Sequence, residues 1–150
     1  MAAVVDNKEG LFRAVRNRPG QDYKEQPDGT LKVASSAFND SSLQPSVNRE
    51  ILRPAPIETK FSEDDGVVRL IAEDIRAIDT ISMDADGNEI YVIDVIHRPI
   101  SDTEEQPGND AHAQVEHTPG TMTKNKFRKL KEALAFLANQ KDWVIKPGNR

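Results

Sequence analysis

The sequence predicts an α+β fold, in which a largely antiparallel sheet is covered by a C-terminal helix and connected by long polar loops. Short apolar segments alternate with polar residues through most of the 150-residue chain, as half-buried strands do. Residues 124–140 instead repeat their apolar side chains at helical spacing. Strands in succession with a helix at one end are typical of an α+β domain.

The chain length predicts one domain. At 150 residues the chain can bury one sizeable core but falls short of two. We therefore expect a flexible N-terminus at residues 1–9, a single α+β domain at residues 10–147 and a tail at residues 148–150.

The first strands are predicted from alternation. GLFRAV (residues 10–15) and TLKVASSAF (residues 30–38) both alternate apolar and polar side chains. GVVRLIAEDIRAI begins as a strand at Val67 and changes to helical spacing at about Ala72.

A hairpin turn is predicted at residues 84–88, where DADGN separates TISM from EIYVIDVI. Asp, Gly and Asn tolerate the positive φ that such turns need. AHAQVEH, residues 111–117, adds another short strand.

The last helix has a candidate N-cap in Thr123, and DWVIKP follows the helix and ends the domain at Pro147. The side chains expected in one core are Leu31, Val33, Phe38, Val67, Leu70, Ile75, Tyr91, Ile93, Val95, Leu130, Leu134, Leu137 and Trp143.

Three polar connections, residues 16–29, 39–66 and 98–122, separate these elements. Loops longer than about 12–15 residues are usually functional or disordered. Within the second connection, Ser46 is a candidate to begin a short helix or to organise the loop together with Arg49.

Charge and composition exclude several classes of function. A net charge of −5 repels nucleic acid and anionic membranes, and no apolar run approaches the roughly 20 residues that span a bilayer. The absence of cysteine excludes disulfides and thiolate metal sites. With no export signal at the N-terminus, we expect a cytoplasmic protein.

Neither a metal nor a cofactor is expected. An EF-hand loop beginning at Asp84 would need Gly at the position of Glu89 and Glu at the position of Val95. His112 and His117 are five residues apart, which puts them on opposite faces of a strand.

Polar and basic clusters give the candidate binding residues. Cations at the start of the last helix oppose its dipole, so they are candidates for contact with an anion or a partner: Lys124, Lys126, Arg128 and Lys129. A second set is expected to organise the loops: Ser46, Arg49, Asn109 and His112.

The adjacent serines Ser35 and Ser36 are expected to serve structure: one faces the core or a neighbouring backbone, and the other bonds to a polar loop. A catalytic triad of Ser36, His112 and Asp110 would need a nucleophile on a strained turn, and the SSAF segment has no G-x-S-x-G context.

The order of LFRAV, SSAF, PSVNRE, DAHAQVE and DWVIKP resembles that of a group of small, uncharacterised bacterial proteins. The resemblance covers most of the chain. It implies a bacterial origin and no assigned activity. Asn48 stands where the group's S-V-D pattern would place an acid.

Arg13 in LFRAV, the two serines of SSAF, and Gln114-Val115-Glu116 in AQVE follow one another as an early arginine, a serine motif and a late [Q/E]-x-E. This order is a second resemblance, to enzymes of the ADP-ribosyltransferase type. It implies that Arg13 would neutralise a dinucleotide pyrophosphate, that Ser35 and Ser36 would hold the nicotinamide ribose, and that Glu116, in Gln114-Val115-Glu116, would stabilise the transition state. The serine motif is S-S-A here, where that family has S-T-S.

These observations favour a non-enzymatic accessory or interaction protein of bacterial origin, which binds another protein encoded nearby. An NAD-using, ADP-ribosyltransferase-like enzyme is the alternative. Binding of nucleic acid through the basic start of the last helix is a weaker third hypothesis.

Overall fold

The part of the chain that the computed structural model describes, residues 3–149, contains seven strands and two α-helices. The elements are β1 (Gly10–Val15), β2 (Tyr23–Glu25), β3 (Leu31–Val33), β4 (Ser46–Arg49), β5 (Gly66–Ile71), α1 (Ala72–Arg76), β6 (Val92–His97), β7 (His112–Thr118) and α2 (Lys124–Asn139). The predictions for residues 1, 2 and 150 lie outside the described residues.

Five strands form one sheet in the order β5-β1-β4-β7-β6, and each neighbouring pair is antiparallel. β2 and β3 form a separate two-stranded hairpin. The apolar side of α2 belongs to the same core as one face of the large sheet. The predicted α+β fold, with its antiparallel sheet and C-terminal helix, is confirmed.

The register divides the side chains between two faces of the sheet. Phe12 lies opposite Asn48, and Asn48 lies opposite His112, so these three share one face. Leu11 and Val47, one residue away on their strands, point into the core on the face that α2 covers. We call these the outward and inward faces.

Most predicted core side chains are buried. The exceptions are Leu137 and Trp143, which pack partly buried against the core. Thr123 is the N-cap of α2 as predicted, since its side-chain oxygen accepts a hydrogen bond from the backbone N–H of Lys126 at 3.2 Å.

The structure differs from the sequence prediction at the SSAF segment. The predicted strand at residues 30–38 ends at Val33, and Ser35–Phe38 forms a 3₁₀ turn. Val33 and Phe38 are five residues apart, so a continuous strand would send them to opposite faces. The turn allows both side chains to enter the same core.

Two strands lie within stretches predicted to be polar connections. β2 falls in residues 16–29, and β4 falls in residues 39–66. Ser46 therefore begins a strand in the centre of the sheet, and the short helix considered for it is absent.

The segment predicted to be a flexible N-terminus contributes to the core. Val5 is buried in the main cluster. Glu9 accepts a hydrogen bond from Arg49 Nε at 2.8 Å, and its carbonyl accepts one from the backbone N–H of Ala72.

Candidate functional site

A groove of about 410 Å³ lies on the outward face of the large sheet, at the junction of β1, β4 and β7. Its floor includes Ser46, Asn48 and His112. Its walls come from residues 53–61, which follow β4, and residues 100–109, which precede β7. Two of the three long polar connections thus meet over the centre of the sheet.

A serine and a histidine are hydrogen-bonded in this groove. The distance between Ser46 Oγ and His112 Nε2 is 3.0 Å, and His112 Nδ1 lies 2.7 Å from the carbonyl oxygen of Arg98. A carbonyl can only accept a hydrogen bond, so Nδ1 carries a proton. In the neutral ring Nε2 is then an acceptor, and the Ser46 hydroxyl donates to it.

The amides of Asn48 and Asn109 are oriented by the same reasoning. The backbone N–H of Ala111 donates to Asn109 Oδ1 at 3.0 Å, so Asn109 Nδ2 is free to donate to Asn48 Oδ1 at 2.8 Å. Asn48 Nδ2 then donates to Thr59 Oγ1 at 3.0 Å. This chain of bonds joins β4 to both walls of the groove.

Arg13 spans the gap that opens between β1 and β4 after Phe12. Its guanidinium donates to three backbone carbonyls, those of Ser46 at 2.8 Å, Ala37 at 3.1 Å and Asn39 at 3.1 Å. Burial lowers the pKa of Arg13. Arg13 therefore holds the SSAF turn against the beginning of β4.

The residues implied by the ADP-ribosyltransferase resemblance have separate contacts. Arg13 and Ser36 line a cavity of about 230 Å³ beside the groove, and the Ser36 hydroxyl donates to the Gln21 carbonyl. Glu116 accepts from Arg98 Nε at 2.8 Å and Nη2 at 3.0 Å, and this pairing raises the pKa of Arg98.

Ser35 begins the 3₁₀ turn, and Gln114 lies opposite Ser46 in the register. These contacts do not join Ser35 or Glu116 to Arg13. That the protein is an NAD-using enzyme stays a prediction. None of these contacts favours it.

The basic residues at the start of α2 lie outside the groove. Arg128 donates to Glu132 at 3.1 Å and to Asn125 at 2.8 Å, on the exposed side of the helix. Lys124 and Lys129 are also exposed, and Lys126 is half-buried. This surface is separate from the Ser46 and His112 pair, and contact of its cations with an anion or a partner stays a prediction.

The four residues expected to organise loops have defined contacts. Ser46 and His112 bond to each other, and Asn109 bonds to Asn48 in the adjoining chain of amides. Arg49 lies on the inward face of the sheet, where it donates to Glu9 and to the carbonyl of Val4.

Comparisons with known proteins supply no relative: no protein-family model matches the chain, and neither does a curated protein or a solved structure. Within residues 3–149, no group of three or more metal-ligating side chains is placed to hold an ion. None of the described helices has the length and apolar character needed to cross a membrane.

The sequence named Ser46 and His112 but did not predict that they pair. They are 66 residues apart, and the link between them is the register of β4 on β7, in which Asn48 lies opposite His112. Because PSVNRE contains few apolar residues, alternation did not indicate a central strand there. The polar side chains at positions 46 and 48 are both on the outward face.

Proposed function

We propose that the protein acts by binding, as an accessory or interaction protein whose outward groove takes a segment of a protein partner. A bacterial, cytoplasmic setting and a partner encoded nearby belong to this proposal. Nucleic acid is not the expected partner, because the net charge of −5 repels it.

The observation that carries the proposal is an exposed aromatic side chain at the rim of a polar groove. Phe61 is 77% exposed and lines the groove, and the Arg16 guanidinium lies 5.8 Å from its ring centroid. Aromatic and arginine side chains are enriched at protein interfaces, where they supply large contact area.

The floor supports recognition of a peptide. The amides of Asn48 and Asn109 bond to each other and the Ser46 hydroxyl bonds to His112, so little side-chain freedom is lost when a partner binds. A volume of about 410 Å³ is within the range of small binding pockets. The groove therefore suits one or two side chains of an extended segment.

The test uses peptides selected from a random displayed library on the wild-type protein, followed by titration of the selected peptides by calorimetry. Phe61→Ala should weaken binding at least tenfold, about 1.4 kcal/mol. Phe136→Ala is the matched control, because Phe136 is also exposed, at 64%, but lies on α2.

Backbone amide shifts then locate the contact. The proposal expects perturbations at Ser46, Asn48, Asn109 and Phe61 when peptide is added. A library that yields no binder, or binders whose affinity depends on Phe136 and not on Phe61, would show that this groove is not the interaction site.

A further inference from the structure

The hydrogen bond between Ser46 and His112 supports chemistry beyond binding. We infer that Ser46 is a nucleophile, that His112 is its general base, and that the pair hydrolyses small activated esters seated in the groove. This inference rests on the groove being a ligand site. It adds an acyl-transfer step that an interaction role does not require.

The direction of the proton in the bond between Ser46 and His112 suits a nucleophile and its base. The Arg98 carbonyl fixes the tautomer of His112, so the bare Nε2 faces the Ser46 hydroxyl at 3.0 Å. A nucleophilic serine needs a base within hydrogen-bond reach and a third group that orients the base. Ser46, His112 and the Arg98 carbonyl supply those three parts.

Ser46 and His112 can be reached from the groove. Ser46 and His112 are both half-buried rather than sealed in the core, and both line the groove. Arg13 holds the Ser46 carbonyl at 2.8 Å, which fixes the backbone beneath the hydroxyl. A small acyl group that enters the groove can therefore contact the Ser46 hydroxyl oxygen, which is held in a defined position.

A donor for the developing oxyanion is also present in the groove. Asn48 Nδ2 has two N–H bonds, and among the described residues only Thr59 Oγ1 accepts from it. Asn48 is two residues after Ser46, on the same face of β4. Asn48 lines the groove, and we assign its second N–H as the donor that would stabilise an oxyanion formed there.

The orienting group sets the class of substrate. A backbone carbonyl orients the imidazole but carries no full negative charge to stabilise the imidazolium that forms, as a buried carboxylate does. The pair is therefore suited to esters with good leaving groups rather than to amides. The groove volume of about 410 Å³ accommodates a small acyl group.

Hydrolysis proceeds through an ester of Ser46. Ser46 Oγ adds to the ester carbonyl while its proton passes to His112 Nε2. Collapse of the tetrahedral intermediate breaks the bond to the leaving oxygen, which takes the proton from His112 and departs as the alcohol. Water then attacks the Ser46 ester with His112 again as base, giving a carboxylic acid and restoring the Ser46 hydroxyl.

A fluorophosphonate probe tests the nucleophile without knowledge of the natural substrate. The serine oxygen displaces fluoride from phosphorus, and hydrogen fluoride is lost. We expect one label per chain, mapped to Ser46 by peptide mass spectrometry. His112→Asn should slow labelling about 100-fold or more, the usual contribution of a general base. Ser36→Ala is the control, because Ser36 donates to the Gln21 carbonyl and has no histidine partner.

A second experiment, with a thiol in place of the serine hydroxyl, tests the same pair in a different variant. The chain contains no cysteine, so Ser46→Cys introduces a single thiol. Iodoacetamide at neutral pH should alkylate it at least tenfold faster than it alkylates the same variant carrying His112→Asn. Thermal unfolding of each variant checks that the fold is retained.

The outcomes are distinct for the two proposals. Labelling spread over several serines, or labelling at Ser46 that is unchanged by His112→Asn, overturns the nucleophile. So does the absence of both labelling and enhanced alkylation. If the nucleophile is overturned but selected peptides still bind in a way that depends on Phe61, the interaction role is supported. If Ser46 is labelled but no peptide binds, the interaction role is overturned and the nucleophile is not.

Discussion

At the scale of single residues, Phe38 joins the SSAF turn to the core. Its side chain is fully buried, and the Arg13 guanidinium lies 5.6 Å from its ring centroid. Phe38→Ala should lower the free energy of unfolding by about 3–5 kcal/mol, because it removes buried surface and leaves a cavity. Urea unfolding followed by Trp143 fluorescence measures the change.

Phe136→Ala serves as the control for this prediction. Phe136 is 64% exposed, so its truncation should change stability by less than about 0.5 kcal/mol. Equal losses in the two variants would contradict the assignment of Phe38 to the core.

At the scale of elements, α2 depends on its cap. Thr123→Ala removes the acceptor of the Lys126 N–H and should cost about 1 kcal/mol. Thr121→Ala is the matched control, since Thr121 is exposed and its side chain has no hydrogen bond to any described residue. Thermal unfolding should separate the two variants, and identical midpoints would count against the cap.

The hairpin turn at residues 84–88 is the second element with a testable property. Asp84 Oδ1 accepts the backbone N–H of Asn88 at 3.0 Å, and Gly87 adopts a φ of 73°. Because this carboxylate closes the turn, and the sixth and twelfth positions of a calcium loop are Glu89 and Val95, we expect no calcium site. Calorimetric titration with millimolar calcium should give no saturable heat, and a saturable isotherm would disprove this prediction.

Sequence periodicity predicted some of the elements and did not predict others. β5, α1 and α2 followed from periodicity, because each places one clear apolar side against the core. β4 did not, because Asn48 and Arg49 are buried through hydrogen bonds with distant partners rather than through apolar contact. Such partners are fixed by the tertiary structure and leave no local pattern.

The same reason explains what could be predicted of the candidate site. Ser46, Asn109 and His112 were recognisable as polar residues with a structural task. Their arrangement follows from the insertion of β4 between β1 and β7, which brings the histidine of one connection to the serine of another. Nothing in the sequence indicated that Phe61 is exposed, because a single phenylalanine in a polar stretch is as consistent with a core residue as with a surface one.

At the scale of the whole molecule, one buried ion pair ties the N-terminal segment to the centre of the sheet. The side chains of Arg49 and Glu9 are only 1% and 8% exposed. Burial by itself raises the pKa of Glu9, but the hydrogen bonds from Arg49 and from the backbone of Asp6, together with the charge of Arg49, outweigh burial, so the pKa is lowered overall. Ionised Glu9 is thus favoured by folding.

Glu9→Gln should therefore destabilise the protein at neutral pH, by about 3 kcal/mol, because Arg49 loses its charged partner while remaining buried. Because the pKa of Glu9 is lower in the folded protein than in the unfolded chain, its ionisation stabilises the fold at pH values above the ordinary pKa of a glutamate. This stabilisation is lost as the pH falls through the pKa of Glu9 in the folded protein. The stability of the wild type should accordingly begin to approach that of Glu9→Gln as the pH falls below about 5. Urea unfolding at pH 7, 5, 4 and 3 measures both profiles, with Glu63→Gln as the control because Glu63 is exposed. Profiles that stay parallel down to pH 3 would show that the ionisation of Glu9 is not linked to folding.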